Sequence, residues 1–130
     1  NLIELNLNNN QLIAITGIGQ LISLQTIFLN NNLLTELPIE ISSLQKLKYI
    51  SLENNQFLPI SSTSQKQCLP EEFLLHTPVE HILLRGNTKL KNADVINFKG
   101  VEAFLERRKK VKDKQLAGGI SVDYSLFGLE

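Results

Sequence analysis

A short apolar pattern recurs four times in this chain and constrains its fold more than any other feature. In the first copy, LIELNLNNNQL, leucines stand at positions 2, 5, 7 and 12 and an asparagine stands at position 10. The later copies begin at Leu24, Leu47 and Val79, so successive copies are 22, 23 and 32 residues apart. The first three copies keep an apolar residue at every such position, whereas the fourth has Lys89 at the last one. This regular spacing indicates stacked repeats of one structural unit rather than a lone strand.

The spacing within each copy has a physical cause. Its x-L-x-L stretch predicts a short strand, in which alternate side chains point to opposite faces, one buried against neighbouring copies and one open to solvent. The asparagine then turns the chain, because its amide group offers donors and an acceptor to backbone groups that water cannot reach. We expect a structural ladder of such residues, formed by Asn10, Asn32, Asn55 and Asn87.

The pattern L-x-x-L-x-L-x-x-N-x-L at this period resembles the leucine-rich repeat family, in its small intracellular type with 22–23-residue repeats. The resemblance implies an α/β fold: a right-handed leucine-rich repeat solenoid with short parallel strands on its concave face, and loops and short helical turns on its convex face. About four repeats span residues 1–98 in this interpretation. The steps Leu37-Pro38 and Leu69-Pro70 are similar to those that open convex segments of the 23-residue class. Polar residues near 58–68 are interpreted as a surface insertion, with the direction of Ile60 left open.

The residues after the repeats predict two further elements. Apolar side chains at helical spacing, among them Val101 and Phe104, predict a capping helix over residues 99–117 that closes the last repeat. Residues 118–130 predict an extended tail, because Gly118 and Gly119 end the helix and apolar and polar residues then alternate. We expect this tail either to fold back on its own solenoid or to dock on a partner.

The predicted helix carries a basic cluster, formed by Arg107, Arg108, Lys109 and Lys110. One interpretation is a contact with an acidic polymer, an acidic protein or lipid head groups. The other, which we prefer, is a solvated helix face whose cations are stabilised near the C-terminal end of the helix dipole.

Composition and motifs argue against several functions. The net charge is zero and no apolar run has the length of a membrane-spanning helix, so neither nucleic acid binding nor a transmembrane segment is expected. The single cysteine, Cys68, fits a reducing compartment, so we predict a cytoplasmic protein, with cytoskeleton-associated proteins included. His76 and His81 stand in no metal-ligand spacing and no phosphate loop occurs, so we predict no enzyme, metal or cofactor. Because the chain lacks methionine and begins on a repeat without a polar cap, we expect it to be the C-terminal part of a longer protein.

The open side of the predicted strands is the expected binding surface, since solenoid curvature presents it as a concave face. Strand alternation places on it Glu4, Asn6, Asn8, Thr26, Phe28, Asn30, Tyr49, Ser51, Glu53, His81, Leu83 and Arg85. The aromatic and apolar members predict a patch with a polar rim, as in protein-interaction hot spots. The alternative is that they only pack against one another across strands.

We therefore predict a non-enzymatic protein–protein interaction module. It would serve as a scaffold or adaptor subunit of a larger intracellular hetero-complex, with cytoskeletal and ciliary assemblies among the candidates. Its contacts would come from the concave face and from the tail. The alternatives are peripheral recruitment to an acidic polymer or membrane through the basic helix, and a regulatory domain of a larger signalling enzyme.

Overall fold

The structure, a computed structural model, describes residues 1–117 and 127–129. Four strands form a parallel, open sheet: β1 (Glu4–Asn6), β2 (Thr26–Phe28), β3 (Tyr49–Ser51) and β4 (His81–Leu83). Of the three α-helices in these residues, α1 (Glu71–His76) lies between β3 and β4, and α2 (Asn92–Val95) and α3 (Val101–Ala117) follow β4. Two 3₁₀ helices, Ile18–Gln20 and Ile39–Ser43, lie in the connections after β1 and β2. The predicted α/β class and the parallel strands are confirmed.

The strands pair in chain order, and the repeat pattern sets their register. Leu5, Ile27, Ile50 and Ile82 hold equivalent positions in four copies and lie side by side across the sheet. Adjacent parallel strands require a crossover connection, and here 19, 20 and 29 residues of irregular and helical chain separate the successive strands. Because each strand has three residues, its central side chain points to one side and its two outer side chains point to the other.

The apolar positions of the pattern form the core on one side of the sheet. In the second and third copies every one of them is fully buried, namely Leu24, Ile27, Leu29, Leu34, Leu47, Ile50, Leu52 and Phe57. The connections add Leu37, Ile41 and Leu44 after the second strand, and Phe73 and Leu74 from α1. Helix α1 and the 3₁₀ helix Ile39–Ser43 each begin directly after a proline, whose fixed φ suits the first turn and which needs no N–H partner.

Buried asparagines join each copy to the preceding one. Asn55, for example, donates from Nδ2 to Leu29 O of the preceding copy and to Leu52 O of its own copy, at 2.9 and 3.1 Å. Its Oδ1 accepts from Leu34 N at 3.0 Å. Asn32 also donates to Leu29 O, so this buried carbonyl serves two successive asparagines. The ladder therefore connects neighbouring copies through shared backbone acceptors.

The residue before each ladder asparagine adopts a left-handed conformation. Asn9, Asn31 and Asn54 have φ between 57° and 60°, and Gly86 at the corresponding place has φ 85°. Asparagine tolerates this region better than most residues, and glycine adopts it without steric cost. At Gly86 a Cβ atom would overlap the amide of Asn54, whose Cγ would lie 2.9 Å away. The turn of the fourth copy therefore needs a glycine where the first three use asparagine.

The polar stretch near residues 58–68 folds back on itself. An antiparallel bridge joins Ile60 to Gln67, and the Ser61 hydroxyl oxygen accepts from the amides of Thr63 and Ser64 between them. Ile60 is 52% exposed, so it points outward. Cys68 at the end of the stretch is fully buried, and burial raises the pKa of its thiol to about 12. It is therefore a core residue with no nucleophilic character at neutral pH.

Helix α3 and residues 127–129 pack beside β4. Helix α3 packs against α1, and its Phe104 is fully buried. Phe127, also fully buried, stacks on Phe104 with ring centroids 5.5 Å apart, and its carbonyl accepts from Leu84 N at 2.7 Å. Residues 127–129 therefore contact their own chain. The predicted helix end at the two glycines and the alternating stretch up to residue 126 lie outside the described residues.

Candidate functional site

The side of the sheet opposite the core carries two rows of side chains, which together we call the open face. The first row is Glu4, Thr26, Tyr49 and His81, and the second is Asn6, Phe28, Ser51 and Leu83, in each case from β1 to β4. Asn8, Asn30, Glu53 and Arg85 follow two residues after the four strands. The strand register thus brings the residues predicted for the binding surface together on one side of the molecule.

Three rings form a continuous strip across the open face. Phe28 and Tyr49 have ring centroids 5.7 Å apart with a 57° interplanar angle, and Tyr49 and His81 have centroids 5.9 Å apart at 45°. Such tilted arrangements are the ones that aromatic pairs favour. All three side chains are half-buried, so each presents part of its surface to solvent. We call Phe28, Tyr49 and His81 the aromatic strip.

The two titratable rings of the strip, Tyr49 and His81, differ in their electrostatics. Burial, followed by the charge of Glu53, raises the pKa of the Tyr49 hydroxyl, which therefore stays protonated at neutral pH. Burial, followed by the charge of Arg108, lowers the pKa of His81. Arg108 Nη1 lies 3.3 Å from His81 Nδ1, and because a guanidinium can only donate, Nδ1 must be the acceptor. His81 is thus a neutral ring with its proton on Nε2.

Part of the predicted surface is used inside the molecule. Asn30 Oδ1 accepts from the Ser51 hydroxyl at 2.7 Å and from Glu53 N at 2.8 Å, and Asn8 Oδ1 accepts from Asn30 N at 2.7 Å. Ser51 is only 2% exposed, so its predicted exposure on the open face is wrong. Strand alternation tells which face a side chain is on, but not whether its neighbour covers it. Asn8 and Asn30 stand at the same offset in the first two copies, and this recurrence is the one feature of the sequence that points to these asparagine contacts.

The charged groups of the open face lie at its margins. Glu4 and Arg85 are exposed at opposite ends, and Glu53 is half-buried beside Tyr49. In the part of the chain that the structure describes, the only ion pair joins Lys48 to Glu80 at 3.3 Å. The charges at the margins of the open face are therefore not neutralised by ion pairs within that part.

The predicted basic cluster does not act as one surface. Arg107 donates to Val79 O and Leu74 O, at 2.8 and 2.6 Å, and Arg108 donates to Glu80 O at 3.0 Å. Arg108 is only 8% exposed, which neither sequence-based interpretation of the cluster anticipates. Both guanidinium groups also lie about 6 Å from the Phe104 ring, at 5.9 and 6.0 Å. The two arginines attach α3 to β4 and α1.

Lys109 and Lys110 are the exposed members of the cluster. The helical position of Arg108, four residues after the buried Phe104, is the sequence signal that it faces inward. Within residues 1–117 and 127–129, no three His, Cys, Asp or Glu side chains form a possible metal site. Over the same described residues, no helix combines the length and the apolar character that crossing a bilayer requires.

No model of a known protein family matches this chain, and neither does any curated protein.

Proposed function

We propose that this chain is a leucine-rich repeat solenoid of the small intracellular type, and that it works as a non-enzymatic protein–protein interaction module in a larger cytoplasmic hetero-complex. The aromatic strip is the single observation that carries the binding role. In support of the repeat assignment, each copy of the pattern supplies one strand, and a buried asparagine follows the second, third and fourth strands. Helix α3 would then be the cap of the last repeat.

The composition of the open face favours a protein as ligand. Its centre consists of rings with large, rigid surfaces, and its margins consist of amide and charged groups. Covering what remains exposed of one such ring, roughly 50 Å², contributes on the order of 1 kcal/mol at about 25 cal/mol per Å². Well-packed aromatic anchors at interface centres are worth about 2 kcal/mol or more when truncated. Phe28 and Tyr49 are the residues that we assign this role, with Leu83 beside them.

Recruitment to an acidic surface through α3 is the less favoured alternative. Arg107 and Arg108 already donate to backbone carbonyl groups of their own chain, so within the basic cluster only Lys109 and Lys110 would meet an acidic polymer or membrane. Contacts between such exposed charges are screened over roughly 8 Å at physiological salt, whereas burial of a ring is not weakened by salt. The two binding modes therefore differ in their salt dependence.

The test is affinity purification with mass spectrometry from the native source at low and high salt. It compares the wild-type chain with Phe28→Ala/Tyr49→Ala, with Lys109→Ala/Lys110→Ala, and with Ile39→Ala as a matched control. Ile39 is 60% exposed on a different part of the molecule, so its removal deletes apolar surface away from the open face. Thr26→Arg is a further variant, which obstructs the open face without removing a ring.

We expect a defined partner that is lost with Phe28→Ala/Tyr49→Ala and with Thr26→Arg but is retained by the other two variants at both salt concentrations. Thermal unfolding of each variant shows that the loss does not come from misfolding. If partners survive the ring substitutions but disappear at high salt or with the lysine variant, the open face is not the binding site and α3 is.

A further inference from the structure

The first copy of the repeat leaves its apolar side chains uncovered. Leu2 is 44% exposed, whereas its equivalents Leu24 and Leu47 are fully buried. Leu5, Leu7 and Leu12 are only partly buried, whereas the same three positions in the second and third copies are fully buried. The difference follows a simple rule: each copy is covered by the copy before it. The outer side of β1 is therefore an apolar surface with the shape of one repeat.

The asparagine ladder also stops at this surface. Asn32, Asn55 and Asn87 each donate to a carbonyl of the preceding copy, at 3.0, 2.9 and 2.9 Å, and each accepts from an amide of that copy, at 3.1, 3.0 and 3.0 Å. Asn10 donates only within its own copy, to Leu7 O at 2.9 Å and Asn8 O at 3.3 Å. Among the described residues, nothing donates to Asn10 Oδ1. Asn10 therefore lacks the two ladder bonds, one donated to a carbonyl and one accepted from an amide of a preceding copy.

The backbone of β1 repeats the same asymmetry. On β2, Phe28 O accepts from Leu7 N of the preceding copy at 2.8 Å, and Asn30 O accepts from Asn9 N at 2.9 Å. The carbonyl of Asn6 is equivalent to that of Phe28 in the register, so it points away from β2. The outer edge of β1 thus presents an acceptor at Asn6, an acceptor at Asn10 and apolar side chains. These groups have the same relative positions as the groups that join two neighbouring copies within the sheet.

The other end of the sheet cannot supply the missing copy. Leu52 N donates to Leu83 O across the junction between β3 and β4, and Leu84 N donates in the same manner to Phe127 O, at 2.8 and 2.7 Å. The edge of β4 that a second molecule would need to stack on β1 is therefore occupied by this chain's own residues. A two-fold contact does not serve either, because it joins two identical edges. The ladder joins two different edges.

We propose that the outer edge of β1 is a docking surface for one more strand-and-turn coil of the same spacing. The coil comes from a polypeptide segment that carries the same repeat pattern, and its strand lies parallel to β1. Its backbone amides donate to Asn6 O and Asn10 Oδ1, one of its carbonyls accepts from Asn10 Nδ2, and its apolar residues cover Leu2 and Leu5. This surface is separate from the open face, so the two can be tested independently.

The test extends the full chain by one coil and asks whether Asn10 acquires the role of Asn32. A copy of residues 24–45 is fused before Asn1, which keeps the 23-residue spacing because Asn1 then takes the place of Lys46. The matched control carries the same 22 added residues in scrambled order. Thermal unfolding is measured for the original, extended and scrambled chains, each with and without Asn10→Ala.

We expect the extended chain to unfold in one transition with a Tm raised by about 5 °C or more over the scrambled control. Asn10→Ala should lower the Tm of the extended chain by several times more than it lowers that of the original chain. An equal effect of Asn10→Ala in both chains, or no rise in Tm, would overturn the proposal. So would concentration-dependent dimers of the original chain that dissociate with Leu2→Lys, since a second copy would then cover the edge.

Discussion

Removing the side chain of Asn55 tests how much of the stability lies in the ladder rather than in the leucines. Asn55→Ala deletes three donor contacts, but the two buried carbonyls among them keep a partner each. Leu29 O still accepts from Asn32, and Leu52 O still accepts from Asn87. Leu34 N has no such substitute, because Asn55 Oδ1 is its acceptor and Leu34 is fully buried. The variant therefore leaves one amide without a partner in the core.

The magnitude follows from this count. An unpaired buried amide costs about 1–3 kcal/mol, and replacing shared donors without orphaning their acceptors costs less than about 1 kcal/mol for each bond. We therefore expect Asn55→Ala to lower the free energy of unfolding by about 2–4 kcal/mol. Since a domain of this kind is stable by roughly 5–15 kcal/mol, the variant should fold but unfold at a much lower urea concentration.

The assay is urea unfolding followed by circular dichroism, with Asn10→Ala as the matched control. Asn10 makes only local, exposed contacts, and Leu7 O retains Asn32 as a donor when Asn10 is removed. We expect this control to cost less than about 1 kcal/mol. If Asn55→Ala and Asn10→Ala lower the unfolding free energy equally, the buried contacts of Asn55 do not stabilise the fold.

Three further predictions concern other parts of the chain. Gly86→Ala should lower the free energy of unfolding by about 1–3 kcal/mol, because φ is positive there and the new methyl group would overlap the Asn54 side chain. Adding Asn54→Gly removes that side chain, so the double variant should regain part of the loss in the same urea assay. Phe127→Ala should cost about 3–5 kcal/mol, since the ring is fully buried on Phe104, and an unchanged urea midpoint would contradict that packing. The pKa of His81 is lowered in the folded state, so the unfolded chain binds its proton more tightly. The contribution of His81 to the free energy of unfolding should therefore be fully present above pH 6.5 and be lost as the pH falls below that value. Urea midpoints measured across this pH range should fall less steeply in His81→Gln than in the wild-type chain.

The repeat spacing was sufficient to predict the sheet. Alternation around Leu5, Ile27, Ile50 and Ile82 predicts four strands, and equal offsets in each copy predict that these residues lie side by side. Both predictions depend on backbone geometry alone, because period 2 and the need for a crossover hold for any parallel sheet. The direction of Ile60 could not be predicted, since an insertion of this length can place it on either side of the chain.

The contacts of individual polar residues were less predictable. Arg108 faces the core side of α3 because it lies one turn after Phe104, but its acceptor, Glu80 O, is 28 residues away in the sequence. Ser51 is covered because Asn30 of the neighbouring strand reaches its hydroxyl. Such contacts depend on which side chains the fold brings together, and a single sequence shows the spacing of a repeat but not the partner of each polar atom.

The two faces of the sheet differ in how uniform their residues are, and this difference supports the proposed function. The inward central position is leucine or isoleucine in every strand, because stacking requires the same shape each time. The first row of the open face instead reads Glu4, Thr26, Tyr49 and His81, which share neither charge nor size. Stacking alone gives no reason for that variety, whereas recognition of an irregular protein surface does. Substitutions on this row should therefore change binding more than stability, and substitutions in the ladder should do the reverse.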